Sequence, residues 1–585
     1  RTAYERILPA PLQEHYPLSH AQQRLWILQQ MSEEQQAYNI PYHIQLKGVL
    51  HRGHFEAALA QLVARHEILR TVFITVDEEP AQQVISPEAF NFSLIYDDFS
   101  ESADAEILAA EVADNETVFV FDLTTGPLIR ARLVKTAEEH FLLCFTLHHI
   151  VFDGWSVQVL IEDLMKLYAA QLSGNTAALA PLAIQYKDFA WWQNNRLQGM
   201  ETAMQQQYWN NRFAGELPVL ELPLDYPRPK IRSYNGQRHI SHIPATLVSQ
   251  LTGYSQSEGI STFVLLVAAV NVLLYKYTGQ QDIVVGTPVA GRESVGLSNQ
   301  IGFYVNTLAI RNQIEAEKPF RDFLFSVKKT LLDAYQHQSY PFDKLVEDLR
   351  LSGDGTRSPL FDVMVVMQHK AAHDTFALSQ LEMIPGNYTT ATSKFDLVLH
   401  FSEEEDGWQL GIEYSTDLFQ DERIKRMSIH LTQILNEIAA DADQPVDNLQ
   451  YLSREEETEL LRFAGDHELV PADQSVPSVL SGIVGLHYES LALSDGKTAY
   501  TYGELWERSG LISGYLQQIC HVQEESLVGI VMSRGTGFVL SMTGILRSGA
   551  AYLPIESHQP VERIRRLLQE GGVSVVLTDN DSMAS

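Results

Sequence analysis

The strongest constraint on the fold is an apolar strand that runs into a polar turn and then into a helix. Residues 141–145 are apolar throughout, which is the pattern of a buried strand. Residues 157–172 carry apolar side chains at helical spacing. The turn between them holds two adjacent histidines, then an aspartate and a glycine. Because a rigid strand aims such side chains and a turn leaves them reachable, we predict a functional site here.

Four residues of this turn can carry chemistry: His148, His149, Asp153 and Gly154. An imidazole titrates near neutral pH, so His149 can hold or move a proton. Asp153 can orient that ring, or it can pair with an arginine and fix the loop. Gly154 lets a backbone come close and can offer its N–H group to a developing oxyanion.

Two other interpretations of the histidine pair remain open. Both rings can be core histidines whose nitrogens bond to the backbone. They can also be metal ligands, but adjacent residues of a strand point to opposite faces, so only one ring can join Asp153. The sequence shows no other His or Cys cluster with ligand spacing. We therefore favour the catalytic interpretation and expect no metal site.

The pattern His148-His149-x-x-x-Asp153-Gly154 resembles the HHxxxDG signature of the condensation domains of non-ribosomal peptide synthetases. The same signature occurs in the wider superfamily related to chloramphenicol acetyltransferase. Other stretches resemble further condensation-domain motifs, in the same order along the chain: residues 19–28, 65–73, 185–192, 301–311, 335–346 and 357–363. This ordered set is far more specific than any one motif.

The resemblance implies an α/β fold with two chloramphenicol-acetyltransferase-like halves in a V-shaped pseudodimer, plus a partial α/β adenylation subdomain. The 585 residues, 45% of them hydrophobic, are enough for several cores. We expect these segments in order: 1–15, linker from an upstream carrier domain; 16–175, condensation N-terminal half; 176–440, condensation C-terminal half; 441–470, linker; 471–585, truncated N-terminal part of an adenylation domain.

The resemblance also implies roles for residues outside the turn. Arg292 follows a buried strand and a Gly/Pro turn, and a buried arginine needs an acceptor, so it is the expected partner of Asp153. Arg65 and Arg70 are second choices. Residues expected to support the site are Arg292, Arg65, Arg70, Ser156 and Trp155. Candidates for the substrate channel are Arg24, Tyr304, Asn306 and His337, although His337 is favoured as a structural or acceptor-side residue.

Composition excludes several other functions. A formal net charge of -32 argues against nucleic-acid binding, which needs a basic surface. The 2 cysteines, Cys144 and Cys520, lie far apart, so we expect no disulfide framework and a reducing, cytoplasmic location. No apolar run has the length of a membrane span, and the N-terminus does not resemble a signal peptide.

The last part of the chain resembles a different family. Residues 499–505 resemble the LTYxEL motif that opens adenylation domains, and residues 546–556 resemble their LKxGxAYxPxD motif, with Glu556 in place of the aspartate. The phosphate loop, the ribose-binding aspartate and the catalytic lysine of that family do not follow. We therefore expect this fragment to be inactive on its own and to bind neither ATP nor Mg²⁺.

The resemblance implies amide formation between a donor acyl or peptidyl thioester and an acceptor aminoacyl thioester. Phosphopantetheine arms of an upstream donor carrier and a downstream acceptor carrier would deliver both, with no cofactor bound directly and the adenylation domain in cis. We expect a monomeric module, and residues 19–28 resemble domains that accept an L-configured donor. Two alternatives stay open: a catalytically silent docking or recruitment domain of the same fold, and an acyltransferase that forms an ester.

Overall fold

The computed structural model describes residues 6–31, 35–174, 179–197, 199–351, 355–368, 376–378, 381–386, 392–463 and 474–580. They divide into two compact units, residues 1–456 and residues 457–585. The expected boundary at residues 175 and 176 lies outside the described residues. So do residues 1–5 of the expected entry linker and residues 464–470 of the expected second linker.

The described residues form the following strands: β1 Tyr16–Pro17, β2 Asn39–Gly48, β3 Thr71–Val76, β4 Glu79–Val84, β5 Ile95–Asp98, β6 Ile129–Ala137, β7 His140–His148, β8 Gly236–Pro244, β9 Asp282–Val289, β10 Asn306–Gln313, β11 Val363–Gln368, β12 Phe376–Leu378, β13 Leu381–Pro385, β14 Leu397–Glu404, β15 Gly407–Ser415, β16 Leu491–Ser494, β17 Ala499–Thr501, β18 Leu527–Val531, β19 Ala551–Ile555 and β20 Val575–Thr578.

They also form the following α-helices: α1 His20–Met31, α2 Arg52–Arg65, α3 Ala105–Thr117, α4 Gly154–Ser173, α5 Tyr186–Arg196, α6 Met200–Arg212, α7 Ala245–Ser257, α8 Thr262–Thr278, α9 Phe320–Gln336, α10 Phe342–Asp348, α11 Asp421–Ala440, α12 Arg454–Phe463, α13 Val476–His487, α14 Tyr502–Gln518, α15 Thr536–Arg547 and α16 Val561–Glu570. No single helix among the described residues has the length and apolar composition of a membrane span, although α7 and α8 pass that test together across a 110° bend.

Two six-stranded sheets form the frame of the first unit. One has the order β12-β13-β2-β7-β6-β5 and the other the order β10-β9-β11-β14-β15-β8. Each sheet packs on helices through its own hydrophobic core, and its central strands β7 and β9 are buried along most of their length. The predicted strand at residues 141–145 is the centre of β7, and the predicted helix at 157–172 is part of α4.

The second half of the sequence contributes segments to the first sheet and to its core. Strand β13 comes from the second half of the sequence, yet it pairs antiparallel with β2 of the first sheet. Residues 297–304, which connect β9 to β10, contribute Leu297, Ile301 and Tyr304 to the core of the first sheet. This connection therefore carries residues of the second half to the end of β7, where the histidine turn lies.

The second unit has a core of its own. Strands β19, β18 and β20 form a parallel sheet, and Leu516, Val528, Ile530 and Ile545 are fully buried against it. Helix α14 begins at Thr501, whose hydroxyl accepts the Glu504 N–H while the Glu504 side chain bonds back to the Thr501 N–H. This capping box explains why the helix starts within the sequence Tyr500-Thr501-Tyr502.

Candidate active site

The histidine turn joins the end of β7 to the start of α4. A single 3-10 turn, His149–Val151, follows β7, and α4 begins at Gly154. The His149 ring is half-buried, and its Nδ1 lies 2.9 Å from the carbonyl oxygen of Phe152. Because a carbonyl only accepts, Nδ1 carries the hydrogen and Nε2 keeps a lone pair. Burial is the largest cause that lowers the pKa of His149 well below its usual value, and the nearby Lys394 cation adds to it.

His148 differs from its neighbour in exposure and bonding. Its side chain is fully buried, and its Nδ1 accepts the N–H of Ile150 at 3.1 Å. The ring stands edge-on to Phe121, at 6.2 Å between centroids. Burial, followed by the charge of Lys394, lowers the pKa of His148 to about 3. His148 is therefore an uncharged ring that caps the 3-10 turn from inside the core.

Asp153 is fully buried and saturated with hydrogen bonds. It is the N-cap residue of α4, and it accepts the N–H of Ser156 at 2.9 Å and the Ser156 hydroxyl at 2.6 Å. The N–H of Tyr304 donates to it at 3.0 Å. One Arg292 nitrogen lies 2.9 and 3.1 Å from its two oxygens. The predicted pairing of Asp153 with Arg292 is therefore observed.

Arg292 is fixed as firmly as its partner. Its second terminal nitrogen donates to the carbonyl oxygens of Leu297 and Gln300, both at 2.7 Å, and its guanidinium lies 4.2 Å from the centroid of the Tyr304 ring. Gly291 precedes it with φ +65°, and a Cβ there would lie 1.9 Å from the Tyr304 carbonyl oxygen. Only glycine permits this close approach, which aims Arg292 at the N-terminus of α4.

Ser156 and Trp155 complete the connection between the two halves. The Ser156 hydroxyl donates to Asp153 and accepts from the Gly302 N–H and from Arg292, both at 3.0 Å. The half-exposed Trp155 indole donates to the carbonyl oxygen of Ser298 at 2.9 Å. Residues 155 and 156 thus bind the connection between β9 and β10 to α4.

Gly154 lies on the open side of the same helix end. It is exposed, and a Cβ added to it would have no heavy atom within 4 Å. Its backbone does not lie in the left-handed region, so the fold itself does not require glycine. The positive end of a helix macrodipole and the free N–H groups of the first turn can receive a developing negative charge here.

A cavity lies beside Phe303. The Phe303 ring stands edge-on to His149 with 4.6 Å between centroids, and it also lines a cavity. Polar groups and aromatic rings from α5, α6 and the segments 291–306 and 338–343 form its wall, among them Trp192, Gln193, Gln205, Asn306 and Ser339. The cavity is therefore bordered by the ring that contacts His149.

Two of the supporting residues lie elsewhere. Arg65 bonds to Asp163 of α4 at 3.0 Å, so it braces the helix behind the turn and not Asp153. Arg70 bonds to the carbonyl oxygen of Ile85 and lies 3.6 Å from Glu67. Neither arginine contacts Asp153 in the described part of the chain, so the second choices for its partner were wrong. Arg65 is the last residue of α2, and Arg70 ends the 3-10 turn that follows that helix.

The channel candidates fall into three kinds of position. Tyr304 is buried, and its hydroxyl donates to Gln300 at 2.7 Å, so only its edge meets the cavity. Asn306 lines the cavity and clamps residues 338–342 through three hydrogen bonds. His337 stacks on Tyr208 at 4.0 Å, and Arg24 lies 5.1 Å over the Phe342 ring. His337 and Arg24 are outside the lining of this cavity.

Several site residues had no prediction of their own. The Tyr186 hydroxyl donates to the Phe303 carbonyl oxygen at 2.6 Å, and it accepts the hydroxyl of Ser19 at 2.7 Å. The buried His66 bonds to Asp163 at 2.9 Å. Each belongs to a stretch that resembles a family motif, which was the available signal. Among the described residues, no group of three or more His, Cys, Asp or Glu side chains is placed to hold a metal ion.

Comparison with known proteins gives a consistent set of relatives. A family model described as "Condensation domain" matches residues 12–461, and one described as "AMP-binding enzyme" matches residues 484–585. Gramicidin S synthase 2 of Brevibacillus brevis is 38% identical over 579 residues, which are 99% of this chain and 13% of that synthase. The chain therefore spans about an eighth of that relative.

Solved structures share the fold. The X-domain from teicoplanin biosynthesis matches with a TM-score of 0.70 and 27% identity, over 77% of this chain and 100% of that chain. The non-ribosomal peptide synthetase FmoA3 matches with a TM-score of 0.77 and 22% identity, over 100% of this chain and 60% of that chain. At 22% identity the second likeness concerns the fold alone.

Proposed function

The chain belongs to the condensation-domain family, and from this premise we propose that it forms an amide between two carrier-bound substrates. The donor is an acyl or peptidyl thioester and the acceptor is an aminoacyl thioester, each on the phosphopantetheine arm of a carrier domain. The acceptor nitrogen attacks the donor carbonyl carbon and the C–S bond breaks. The amine loses one proton and the departing sulfur ends as a thiol.

The observation that carries the proposal is the state of His149. Its Nδ1–H is committed to the Phe152 carbonyl oxygen, so the lone pair of Nε2 is available. We propose that this lone pair either accepts a hydrogen bond from the attacking amine or takes up its proton. The Gly154 N–H at the start of α4 is the proposed donor to the oxyanion of the tetrahedral intermediate.

Positioning supplies much of the proposed rate. A thioester is already activated, and holding two reactants in the correct geometry is worth about 7–11 kcal/mol. Asp153, Ser156 and Arg292 are proposed as the frame that keeps His149 and Gly154 in place, because their side chains are buried and hydrogen-bonded to one another. We propose the cavity beside Phe303 as the approach of one phosphopantetheine arm.

A direct assay tests this function. Donor peptide and acceptor amino acid are loaded on separate carrier domains, and the mass of the acceptor carrier is followed after addition of the chain. We expect the acceptor to gain the donor mass with wild type and with His140→Ala, an exposed histidine at the other end of β7. We expect His149→Ala to lose at least 100-fold in rate. Equal rates for His149→Ala and wild type would overturn the proposal.

A second candidate is a recruitment domain without catalysis. The X-domain structures favour it, because one of them is a complex with the protein OxyB and the X-domain is 27% identical to this chain. Binding of loaded carriers without amide formation, for several L- and D-configured donors, would support this candidate. Transfer to a hydroxyl acceptor in place of an amine would support ester formation.

The remaining organisation is part of the same proposal. We propose carrier domains as partners, one upstream and one downstream. We also propose residues 16–175 and 176–440 as the two halves of the condensation domain, although β13 of the second half pairs within the first sheet. A cytoplasmic location fits two cysteines that are both free. That residues 471–585 form no acyl adenylate by themselves stays a prediction, which an ATP–pyrophosphate exchange assay on this chain tests.

A further inference from the structure

Phe303 lies on a backbone segment that is bound to the protein at both neighbouring residues. The N–H of Gly302 donates to the Ser156 hydroxyl, and the N–H of Tyr304 donates to the Asp153 carboxylate, both at 3.0 Å. Asp153 is the N-cap of α4 and Ser156 lies in its first turn. The backbone on either side of Phe303 is therefore held by the helix end that follows the histidine turn.

Tyr186 of α5 holds the same segment by a third hydrogen bond. Its hydroxyl donates to the Phe303 carbonyl oxygen at 2.6 Å and accepts the hydroxyl of Ser19 at 2.7 Å. Its ring is buried and stands edge-on to the Tyr304 ring, with 4.8 Å between centroids. A Cβ on Gly302 would collide with the Tyr186 ring, so the glycine permits this close approach. These contacts leave the backbone of Phe303 little freedom to move.

The Phe303 side chain contacts the histidine and the cavity at once. Its ring and the His149 ring are 4.6 Å apart between centroids, at an interplanar angle of 65°, which is an edge-to-face contact. The Phe303 ring also lines the cavity, whereas His149 is not among the described residues that line it. Phe303 therefore forms the cavity wall next to the imidazole.

An imidazole lone pair does not by itself distinguish an amine from water. Nε2 of His149 can accept hydrogen from either, because both carry a donor group. With water as the nucleophile, its oxygen attacks the donor carbonyl carbon and the C–S bond breaks. One hydrogen of the water ends on the departing sulfur, so the products are a carboxylic acid and a thiol. Excluding water from a site prevents such side reactions.

We propose that Phe303 determines which nucleophile reacts, because its ring excludes water from the space beside His149, and that Tyr186 is a positioning residue that acts through Phe303. The role deepens the proposed amide formation and rests on it. An apolar ring packed on the imidazole occupies volume that water would otherwise fill. The size and the position of the ring carry this role, and the hydroxyl of Tyr186 fixes the position.

Product analysis tests the inference. A donor thioester on its carrier is mixed with the chain and a loaded acceptor carrier, and both the amide and the free donor acid are quantified, after subtraction of the acid that the carriers release alone. In Phe303→Ala we expect the ratio of acid to amide to rise about tenfold or more, because water reaches a histidine that can assist it. Phe303→Leu keeps most of the apolar volume and is expected to stay within about threefold of wild type.

The Tyr186 hydroxyl is tested by Tyr186→Phe. The ratio of acid to amide is expected to rise about threefold, because one hydrogen bond to the Phe303 carbonyl oxygen is lost. Tyr414→Phe is the matched control and should keep the wild-type ratio, since Tyr414 of β15 is also buried and its hydroxyl donates to Gln237 at 2.9 Å. A purely structural defect would lower the amount of active chain and leave the ratio unchanged.

The role of His149 in the added hydrolysis separates the possible outcomes. The double variant Phe303→Ala, His149→Ala is expected to lose the added hydrolysis, and hydrolysis that persists in it overturns the inference. So does an unchanged ratio in a folded Phe303→Ala, for which Phe303→Val is substituted if the first variant does not fold. If wild type forms no amide while Phe303→Ala hydrolyses the donor through His149, the proposed amide formation fails and the exclusion of water stands.

Discussion

Asp153 and His149 lie four residues apart and differ in how fully the protein uses the hydrogen-bonding groups of their side chains. Asp153 is fully buried and accepts hydrogen bonds from Ser156, Arg292 and the Tyr304 N–H. His149 is half-buried, and the hydrogen bond of its ring to the protein uses only Nδ1. A group whose hydrogen bonds are all made within the protein has none left for a substrate, whereas a group with a free lone pair can still bind one. The turn therefore places a residue whose hydrogen bonds are used within the protein close to one that can still bind a substrate.

Ser156 and Gly154 differ in the same way as Asp153 and His149. Ser156 is buried and shares its hydroxyl among Asp153, Gly302 and Arg292. Gly154 is exposed with open space around it. Both residues belong to the first turn of α4, so local structure does not distinguish them. The contacts made by residues 291–304 distinguish them, because these contacts cover Ser156 on one side of the helix end and leave Gly154 on the other side free.

Removing the charge of Asp153 is the most severe way to test this division. Asp153→Asn leaves Arg292 buried without a carboxylate, and breaking a buried ion pair costs about 3–5 kcal/mol in unfolding free energy. Amide formation is expected to be lost as well, because the frame of the site loosens. Urea denaturation measures the first effect. Asp104→Asn is the control, since Asp104 also precedes a helix but makes no side-chain cap hydrogen bond.

Acidification should destabilise the buried side of the turn through His148. Its pKa of about 3 in the fold lies below the usual value of about 6.5, so the unfolded chain binds the proton first. This contribution to stability is complete above about pH 6.5 and is lost by about 1.4 kcal/mol per pH unit as the pH falls toward 3.

The comparison of variants isolates this effect from that of other groups. Unfolding free energies of wild type and His148→Asn are measured between pH 7 and pH 4, and the gap between the two curves should narrow as the pH falls. His140→Asn, an exposed position on the same strand, should run parallel to wild type. Parallel curves for His148→Asn as well would mean that His148 is not held uncharged.

The smallest effect on stability is expected at Gly154. Gly154→Ala introduces a Cβ that meets nothing, so the unfolding free energy should stay equal or rise by up to about 1 kcal/mol. The rate of amide formation should nevertheless fall by about tenfold to a hundredfold, because small displacements of a reacting group are costly. Gly53→Ala is a matched control in the first turn of α2, where a Cβ also meets nothing. Equal rates for both variants would remove Gly154 from the site.

Sequence patterns predicted the parts of the site that local rules control. The apolar run before His148 and the helical spacing after Asp153 identify β7 and α4. Arg292 was found because an arginine at the end of a buried strand requires an acceptor, and Asp153 is that acceptor. Family resemblance supplied the order of motifs and the proposed role of His149.

Other contacts between distant segments could not be predicted in this way. Arg70 lies in a recognised motif, but its partner is set by how the chain turns at Ile85. Strand β13 pairs with β2 although more than 300 residues of chain separate them. Such contacts depend on tertiary structure, which periodicity along one segment does not encode.

The most direct test of the division of labour measures stability and chemistry on the same preparation of His149→Ala. Unfolding free energy and the single-turnover rate of amide formation between loaded carriers are determined side by side with wild type. We predict a change in unfolding free energy of less than about 1 kcal/mol, since one hydrogen bond of a half-buried ring is lost, and a rate at least 100-fold lower. A rate equal to wild type, or a loss of stability as large as that of Asp153→Asn, would contradict the account.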